Sequence, residues 1–358
     1  MVNTLGLDIG GANTKAAFVS TQNSAVIEFK SAVEYFPFWR RDAKLVCDML
    51  SSLRKKLVGS RRLDCVAVTM TAEVSDVYST KRQGVNHILD CVSEVFGDVQ
   101  PLVLDVDANL RSISSAREYP LKVASANWVA TGWMVTQKIQ DGVVVDVGST
   151  TTSIIPIVQG KVCAAGKTDL EKLISRELIY TGSLRTNVAA IVSCLPLRGS
   201  VANVASELFA QSGDIHLVLG NIKKMEYSTE TADGKGKTIN DSLARIAHVV
   251  CADTEMLTTK EILKIAKHVY KQQVKQIADG LDAVYCRLET DAKQTVPTIV
   301  TGLGKHFLAM KAAENVGVAK IIDLGHLFTE GAALASPATG IALIAATKIE
   351  GRNLEWTQ

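Results

Sequence analysis

The sequence predicts an α/β chain built as two similar halves, residues 1–138 and residues 139–358. Three observations predict it. The stretch LGLDIGGANTK (5–15) ends an apolar run in a carboxylate, Asp8, followed at once by Ile9, Gly10 and Gly11. The stretch VVVDVGSTTTSIIPI (143–157) repeats that order, with Asp146 standing 138 positions after Asp8. In both halves short apolar runs then alternate with segments of helical spacing. A repeat of this size points to duplicated domains facing one another across a cleft.

Residues 4–9, 14–19 and 25–30 read as a three-stranded meander, with turns at Gly10-Gly11 and near Asn23. Residues 42–57 have helical spacing and a basic end, Arg54-Lys55-Lys56, which suits a helix C-terminus. CVAVTM (65–70) is a buried strand, 83–96 a helix ending at Gly97, 101–106 a strand and 121–138 a helix. The second half restarts with strands in 143–166 and a helix over 169–179. It closes with a strand at 298–304, a helix at 304–316, a strand at 319–324 and a helix at 337–348.

An insertion of about 180–296 separates the parts of the second half. In it, Thr258 and Glu261 form a capping box that opens one long helix over 258–289. Its apolar stripe runs Ile262, Ala266, Tyr270, Val274, Ile277, Leu281, Val284 and Leu288, which predicts packing inside the chain, with a homodimer seam as the alternative. The polar stretch STETADGKGKTIND (228–241) reads as a mobile loop, with a ligand lid as the second reading.

Length and composition agree with this organisation. The 358 residues suit two domains, and 47% hydrophobic against 21% charged residues supports a large core. A net charge of +2 gives no reason to expect nucleic acid or a membrane surface as partner. Seven cysteines without a CxxC pair read as buried free thiols of a cytoplasmic protein. The scattered histidines show no zinc spacing; His216 and His248 read as core residues. No apolar run is long enough to span a membrane, and the N-terminus has no signal-peptide pattern.

The chemistry gathers at the two Asp-x-Gly turns. Glycines let backbone approach a ligand closely. Their N–H groups, with hydroxyls of Thr14 or of Ser149, Thr150 and Thr151, can hold phosphate oxygens. Asp8 and Asp146 would repel a bare phosphate and make sense with Mg²⁺ between, directly or through water. The diphosphate-binding set is therefore Gly10, Gly11, Asn13, Thr14, Lys15, Gly148, Ser149, Thr150 and Thr151. Lys15 either reaches a phosphate or faces solvent.

This paired pattern resembles the phosphate loops of the actin/Hsp70/sugar-kinase superfamily, whose resemblance implies two RNase H-like domains with a partly helical insertion in the second. VTGLGKHFLAMKAA (300–313) matches that superfamily's late glycine turn, adding Gly302 and Gly304, although Leu303 separates glycines that are commonly adjacent. More closely, the chain is similar to the hydantoinase A/oxoprolinase-related group of tetrahydromethanopterin-linked one-carbon metabolism, and within it to the methanofuran-biosynthesis branch. GLDIGGANTK, VTMTAEVSDVY, ASANW (124–128), VDVGSTTTSIIPI, YTGSLRTNV (180–188), GDIHLVLG (213–220), TADGKGKT and VCADTE carry that resemblance as a set.

The resemblance implies a transferase. It would join an aminomethylfuran-methyl diphosphate to the phenol oxygen of γ-glutamyltyramine, or of a tyrosine-derived analogue, making an ether and releasing diphosphate. The alternative is an ATP-dependent small-molecule kinase or an ATP-coupled hydrolase of the hydantoinase type; a nucleotide-switched binding protein finds no matching extra domain. Catalytic candidates are Asp8, Asp146 and Glu73, the last as base for the phenol. Asp76 is a second base candidate or a solvated turn residue. Arg185 either grips an anion or makes a surface ion pair, and Asn127 and Trp128 either line a ring pocket or pack. Asp105 and Asp107 either help a metal or cap a turn; Asp233 and Asp253 have no local signature of a role.

Overall fold

A computed structural model describes residues 1–40, 45–288 and 292–356. β1 (Val2–Ile9), β2 (Asn13–Gln22) and β3 (Ala25–Tyr35) form the predicted antiparallel meander. Asn23 and Ser24 both take positive φ, the geometry of a tight hairpin turn. β3 runs past its predicted end because Lys30–Tyr35 pair with Phe18–Asn13. α1 (Leu45–Leu57) follows; the predicted start at 42 lies outside the described residues. Next come β4 (Cys65–Met70), a 3₁₀ turn at Ala72–Val74, and α2 (Lys81–Phe96), whose first turn is capped by the Thr80 hydroxyl accepting from Gln83 N–H.

β5 (Leu102–Leu104) and β6 (Leu110–Ser112) precede α3 (Ile113–Glu118), α4 (Pro120–Val123) and α5 (Asn127–Thr136). The single helix expected over 121–138 is thus broken. A β-bridge from Met70 draws Ala124 into extended backbone, and Ser125 takes φ +52° before the helix restarts. Then follow β7 (Gly142–Val147), β8 (Thr152–Val158), β9 (Lys161–Val162), α6 (Asp169–Ile174) and β10 (Leu178–Ile179). The helix expected over 169–179 stops at Ile174, because Leu178 and Ile179 pair with Ser153 and Thr152.

The rest runs through α7 (Val188–Ile191), β11 (Cys194–Leu197), β12 (Ser200–Asn203), α8 (Ser212–Val218), α9 (Ile239–His248) and α10 (Thr259–Tyr285). After these come α11 (Ala292–Thr295), β13 (Thr298–Thr301), a π turn at Lys305–Ala309, α12 (Met310–Val316) and β14 (Ile321–Asp323). The chain ends in α13 (Leu324–Leu327), α14 (Glu330–Leu334), α15 (Ser336–Glu350) and β15 (Glu355–Trp356).

Two compact units result, each with its own core: residues 1–144, 155–174 and 323–358 form one, and 145–154 with 175–322 the other. In the first, a seven-stranded sheet has the order β15-β3-β2-β1-β4-β5-β6, with β4 joining β1 in parallel. Alternation along β1 sends Leu5, Leu7 and Ile9 into the core shared with α1 and α2. Thr4, Gly6 and Asp8 take the opposite face. There the Thr4 hydroxyl donates to Ala342 O at 3.0 Å, and a Cβ on Gly6 would lie 2.0 Å from Ala338 O. α15 is buried from Ser336 to Ala346, the signature of a helix enclosed on all sides. It runs antiparallel to β1, so its N-terminal end is directed toward Asp8.

The second sheet has the order β10-β8-β7-β13-β14, with β9 paired to β8. α10 starts with the predicted capping box at Thr258 and Glu261. Ile262, Ile265, Ala266 and Val269 pack with α7, α8 and α9 residues, so the stripe is satisfied within the chain over this part; Leu288 of the predicted stripe lies past the helix end. The strand order in both sheets gives the α/β, RNase H-like architecture of the actin/Hsp70/sugar-kinase superfamily. The stretch 228–241 is tied down: buried Arg245 donates to Asp233 at 3.0 Å and to Gly236 O at 3.1 Å, and to enclosed Asp214 at 2.7 Å.

Candidate active site

In the first unit the Asp8 strand ends in a turn anchored from the next hairpin. Phe36 N–H donates to Ala12 O and Phe38 N–H to Gly11 O, both at 2.9 Å. Gly10 is required by the turn itself: a Cβ there would sit 2.5 Å from Asn13 O. A Cβ on Gly11 would meet nothing within 4 Å among the described residues. Asp8 is almost wholly buried, cross-strand from Lys15 and Thr69. Thr14 is enclosed, and its hydroxyl faces away from solvent. Asn13 and Lys15 are half-buried.

Beside this turn lies an enclosed acid. Thr71 N–H donates to Ile9 O, and the Thr71 hydroxyl would stand 3.5 Å from a Cβ on Gly10. Two residues on, Glu73 is 1% exposed. Gly84 of α2 makes room for it: a Cβ at 84 would lie 2.6 Å from the Glu73 backbone. Ser125 Oγ is 2.6 Å from Glu73 Oε1 and also 2.6 Å from Asp169 Oδ2. Lys81 Nζ donates to Asp169 at 2.8 Å and to Ser125 at 3.3 Å, and lies 3.7 Å from Glu73 Oε1. Burial pushes the Glu73 carboxyl up to about 7, against the opposing pull of the Ser125 hydrogen bond and the Lys81 charge. Asp76, by contrast, is an exposed turn residue.

Asn127 opens α5, half-buried, and Trp128 is buried with the Lys172 ammonium 4.2 Å over its ring. Asp105 is a turn cap: its Oδ1 accepts from Asp107 and Asn109 N–H, and its Oδ2 pairs with Arg111 at 2.7 Å. Asp107 pairs with Lys122 and Lys167.

In the second unit three glycine segments pack on one another. Gly148 N–H donates to Thr151 O at 2.9 Å, closing the turn after Asp146. Leu184 and Arg185 N–H donate to Ser149 O at 3.0 Å, and Ser183 N–H to Gly148 O at 2.9 Å. Arg185 Nη1 donates to Thr150 Oγ1 at 3.3 Å, placing the arginine on the turn. Gly302, at φ +84°, touches the same turn: a Cβ would lie 2.4 Å from Val147 O and 2.6 Å from Asp146 Oδ1. Gly304 N–H donates to Val147 O at 3.0 Å. Leu303 between them joins a small apolar cluster with Leu184, Leu217, Ile222 and Tyr227, which is why a large residue is tolerated there.

The remaining candidates are structural. Asp253 Oδ1 accepts from Glu255 and Met256 N–H, and Asp233 pairs with Arg245. His216 is a core histidine, bonded to Gln273 and Asn221 and pushed down to about 3 by burial. His248 is exposed rather than buried, at the end of α9 against Phe209. The cysteines are free, but Cys163, Cys194, Cys251 and Cys286 are exposed, since each lies at an element end or in a loop instead of an apolar run. Among the described residues no three ligating side chains cluster, and no helix is long and apolar enough to cross a membrane. Sequence reading did not single out Ser125, Asp169, Lys81 or Ser183. Ser125 sits within ASANW, where only its neighbours Asn127 and Trp128 attracted notice.

The hydantoinase/oxoprolinase family profile matches residues 64–348, and the chain belongs to that family. It is 35% identical, over 94% of its length and 96% of the relative's, to the (4-{4-[2-(γ-L-glutamylamino)ethyl]phenoxymethyl}furan-2-yl)methanamine synthase of Methanocaldococcus jannaschii. It is 35% identical to the enzyme of the same name from Methanococcus vannielii, over 61% of this chain and 97% of that one. Acetone carboxylase in its nucleotide-free structure shares the fold, with TM-score 0.58 and 11% identity, covering 96% of this chain and 70% of that one.

Proposed function

We propose that this chain is an enzyme of methanofuran biosynthesis that forms an aryl ether. It joins the methylene of an aminomethylfuran-methyl diphosphate to the phenol oxygen of γ-glutamyltyramine, or of a tyrosine-derived analogue, and releases diphosphate. The observation that carries this reading is the 35% identity to the named synthase across 94% of the chain. The relative's name describes a phenoxymethylfuran, a product with one ether between phenol oxygen and furan methylene.

The geometry supports the reading in three respects. The second-unit turn, Gly148–Thr151, presents hydroxyls and carries Arg185, a donor set suited to phosphate oxygens. In the first-unit turn no described residue lies within 4 Å of where a Gly11 Cβ would stand, which suits close approach of a phosphate. Glu73 is a carboxyl whose proton affinity lies near neutral pH, the range in which a general base acts. Donors held at the turns stabilise the leaving diphosphate as the carbon–oxygen bond breaks. Glu73 accepts the phenol proton as the new bond forms.

Mg²⁺ fits as an ion that arrives with the diphosphate. Such an ion uses one or two carboxylates with phosphate oxygens and waters, and each unit offers one strand-end carboxylate, Asp8 or Asp146, instead of a three-ligand cluster. When bound it neutralises diphosphate charge. The free cysteines agree with a cytoplasmic setting.

Two incubations followed by mass spectrometry test the reading. The first holds the furan-methyl diphosphate, γ-glutamyltyramine and Mg²⁺ without ATP. Ether with one diphosphate per product is expected, lost in Asp8→Ala and Asp146→Ala. The second holds ATP, Mg²⁺, the furan alcohol and the same phenol. ADP there with no ether in the first overturns the transferase and leaves ATP-coupled chemistry.

A further inference from the structure

Glu73 is enclosed, so a proton it takes needs a way out. Among the described residues the hydroxyl on its Oε1 is that of Ser125, and that oxygen lies equally close to Asp169. A hydroxyl has one proton and can donate to one carboxylate at a time. The Ser125 hydroxyl can therefore take a proton on one side as it passes its own to the other, linking the two carboxylates. Lys81 supplies protons to Asp169 and Ser125 from the other side and balances one negative charge. The Asp169 side chain is 29% exposed, whereas Glu73 has none of its side chain in solvent.

We propose that Ser125, Asp169 and Lys81 are positioning residues that form a proton relay behind Glu73, connecting this enclosed carboxyl to water. The proposal rests on the reading of Glu73 as the phenol's base. Before reaction Ser125 donates to Glu73 Oε1 and Lys81 donates to Asp169. Glu73 Oε2 is buried and has no hydrogen-bond partner among the described residues, so it is the carboxyl oxygen with acceptor capacity to spare. The phenol O–H breaks and its proton goes to Oε2. The phenol oxygen forms the ether bond to the furan methylene, and the carbon–diphosphate bond breaks with its electron pair on the leaving oxygen. The Glu73 carboxyl then turns its proton toward Ser125, which takes it while passing its own proton to Asp169; Asp169 releases that proton to water and Ser125 turns back to Glu73 Oε1, restoring the starting state.

The groups facing Glu73 are few. Lys81 comes from α2 and Asp169 from α6, and Tyr78 follows the 3₁₀ turn with its hydroxyl 2.6 Å from His87 Nδ1. Lys81 favours the Glu73 carboxylate and Asp169 disfavours it, so the two variants Asp169→Asn and Lys81→Met must move its titration in opposite directions. Both residues are partly exposed, and thermal melts confirm folding of each.

The test reads the carboxyl directly, by ¹³C NMR of glutamate-labelled enzyme, with the Glu73 signal assigned by its loss in Glu73→Gln. A midpoint near pH 7 is expected for the parent. It should fall by about one unit, a tenfold change in proton affinity, in Asp169→Asn and rise similarly in Lys81→Met. The lower pH limb of kcat for ether formation should move with it. A Glu73 midpoint in the ordinary carboxylate range, or one that neither variant moves, overturns the relay. A midpoint that moves while the kcat limb stays fixed also overturns it, leaving a structural cluster. If the parent enzyme makes no ether, the transferase reading fails and the relay's task with it. The NMR titration then still reports separately whether Asp169 and Lys81 are coupled to Glu73.

Discussion

The enclosed Glu73 carboxyl ties stability to pH with a sign opposite to that of a paired surface acid. Unfolded, it binds a proton only below its ordinary value of 4.5; folded, it keeps one up to about 7. Between those values the native state holds more protons than the unfolded state. The slope of unfolding free energy with pH is therefore negative, and stability present at low pH is lost as pH rises through 7. With these two values the contribution falls by about 2.5 kcal/mol between pH 5 and pH 8. Glu73→Gln keeps the size and cannot ionise, so it should lack this dependence. The assay is urea unfolding of parent and variant at both pH values, followed by a signal from the first unit. The difference between the two proteins should change by about 2.5 kcal/mol from pH 5 to pH 8, with the variant relatively more stable at pH 8. Parallel curves would refute the reasoning, because they would mean that Glu73 is ionised and satisfied in the folded chain.

Other consequences follow from the glycines and the buried ion pair. Gly302→Ala combines a positive φ with a Cβ 2.6 Å from Asp146 Oδ1. It should cost about 1–2 kcal/mol in backbone strain and, by shifting Asp146, on the order of 100-fold in ether-forming kcat/KM, read by melts and product assay. Gly6→Ala, aimed at the Ala338 carbonyl of a helix that cannot retreat, should destabilise by about 1–3 kcal/mol. Gly11→Ala would meet no described residue within 4 Å and should leave stability within about 0.5 kcal/mol while lowering ether formation, if the turn holds the phosphate as proposed. Arg245→Met strands the enclosed Asp214 carboxylate and should lower stability by about 3–5 kcal/mol in urea melts of the second unit, with partial recovery on adding Asp214→Asn.

Much of the fold was legible because it rests on local pattern. The Asp-x-Gly turns, the β1–β2–β3 meander and the Thr258–Glu261 cap all follow from spacing and turn chemistry. What failed was long-range. Nothing within residues 121–138 announces that Met70 will bridge Ala124 and break the helix at Ser125. Nothing within 169–179 shows that Leu178 will pair with Ser153. The Ser125–Glu73–Asp169–Lys81 cluster was illegible for the same reason, since its members come from four separate segments. The glycine rich turn at 302–304 was legible as a turn, but the place of Leu303 became clear only with its apolar neighbours.

The burial that weakens the native state at high pH also sets the strength of Glu73 as a base. A phenol near pKa 10 giving its proton to a carboxylate of ordinary affinity, 4.5, would climb about 7.5 kcal/mol. At a carboxyl near 7 the climb is about 4 kcal/mol. Enclosure thus removes about 3.4 kcal/mol, a few hundredfold in the transfer equilibrium, and charges the same amount to folding. Lys81 limits the rise: without its charge the carboxyl would hold its proton too tightly to be available as a base at neutral pH. A carboxylate of ordinary affinity would cost folding little, but it would be the weaker base by most of that margin. With Glu73 as the proposed base, the chemistry favours this buried acid over its exposed neighbour, and burial is what would make Ser125 and Asp169 its connection to water.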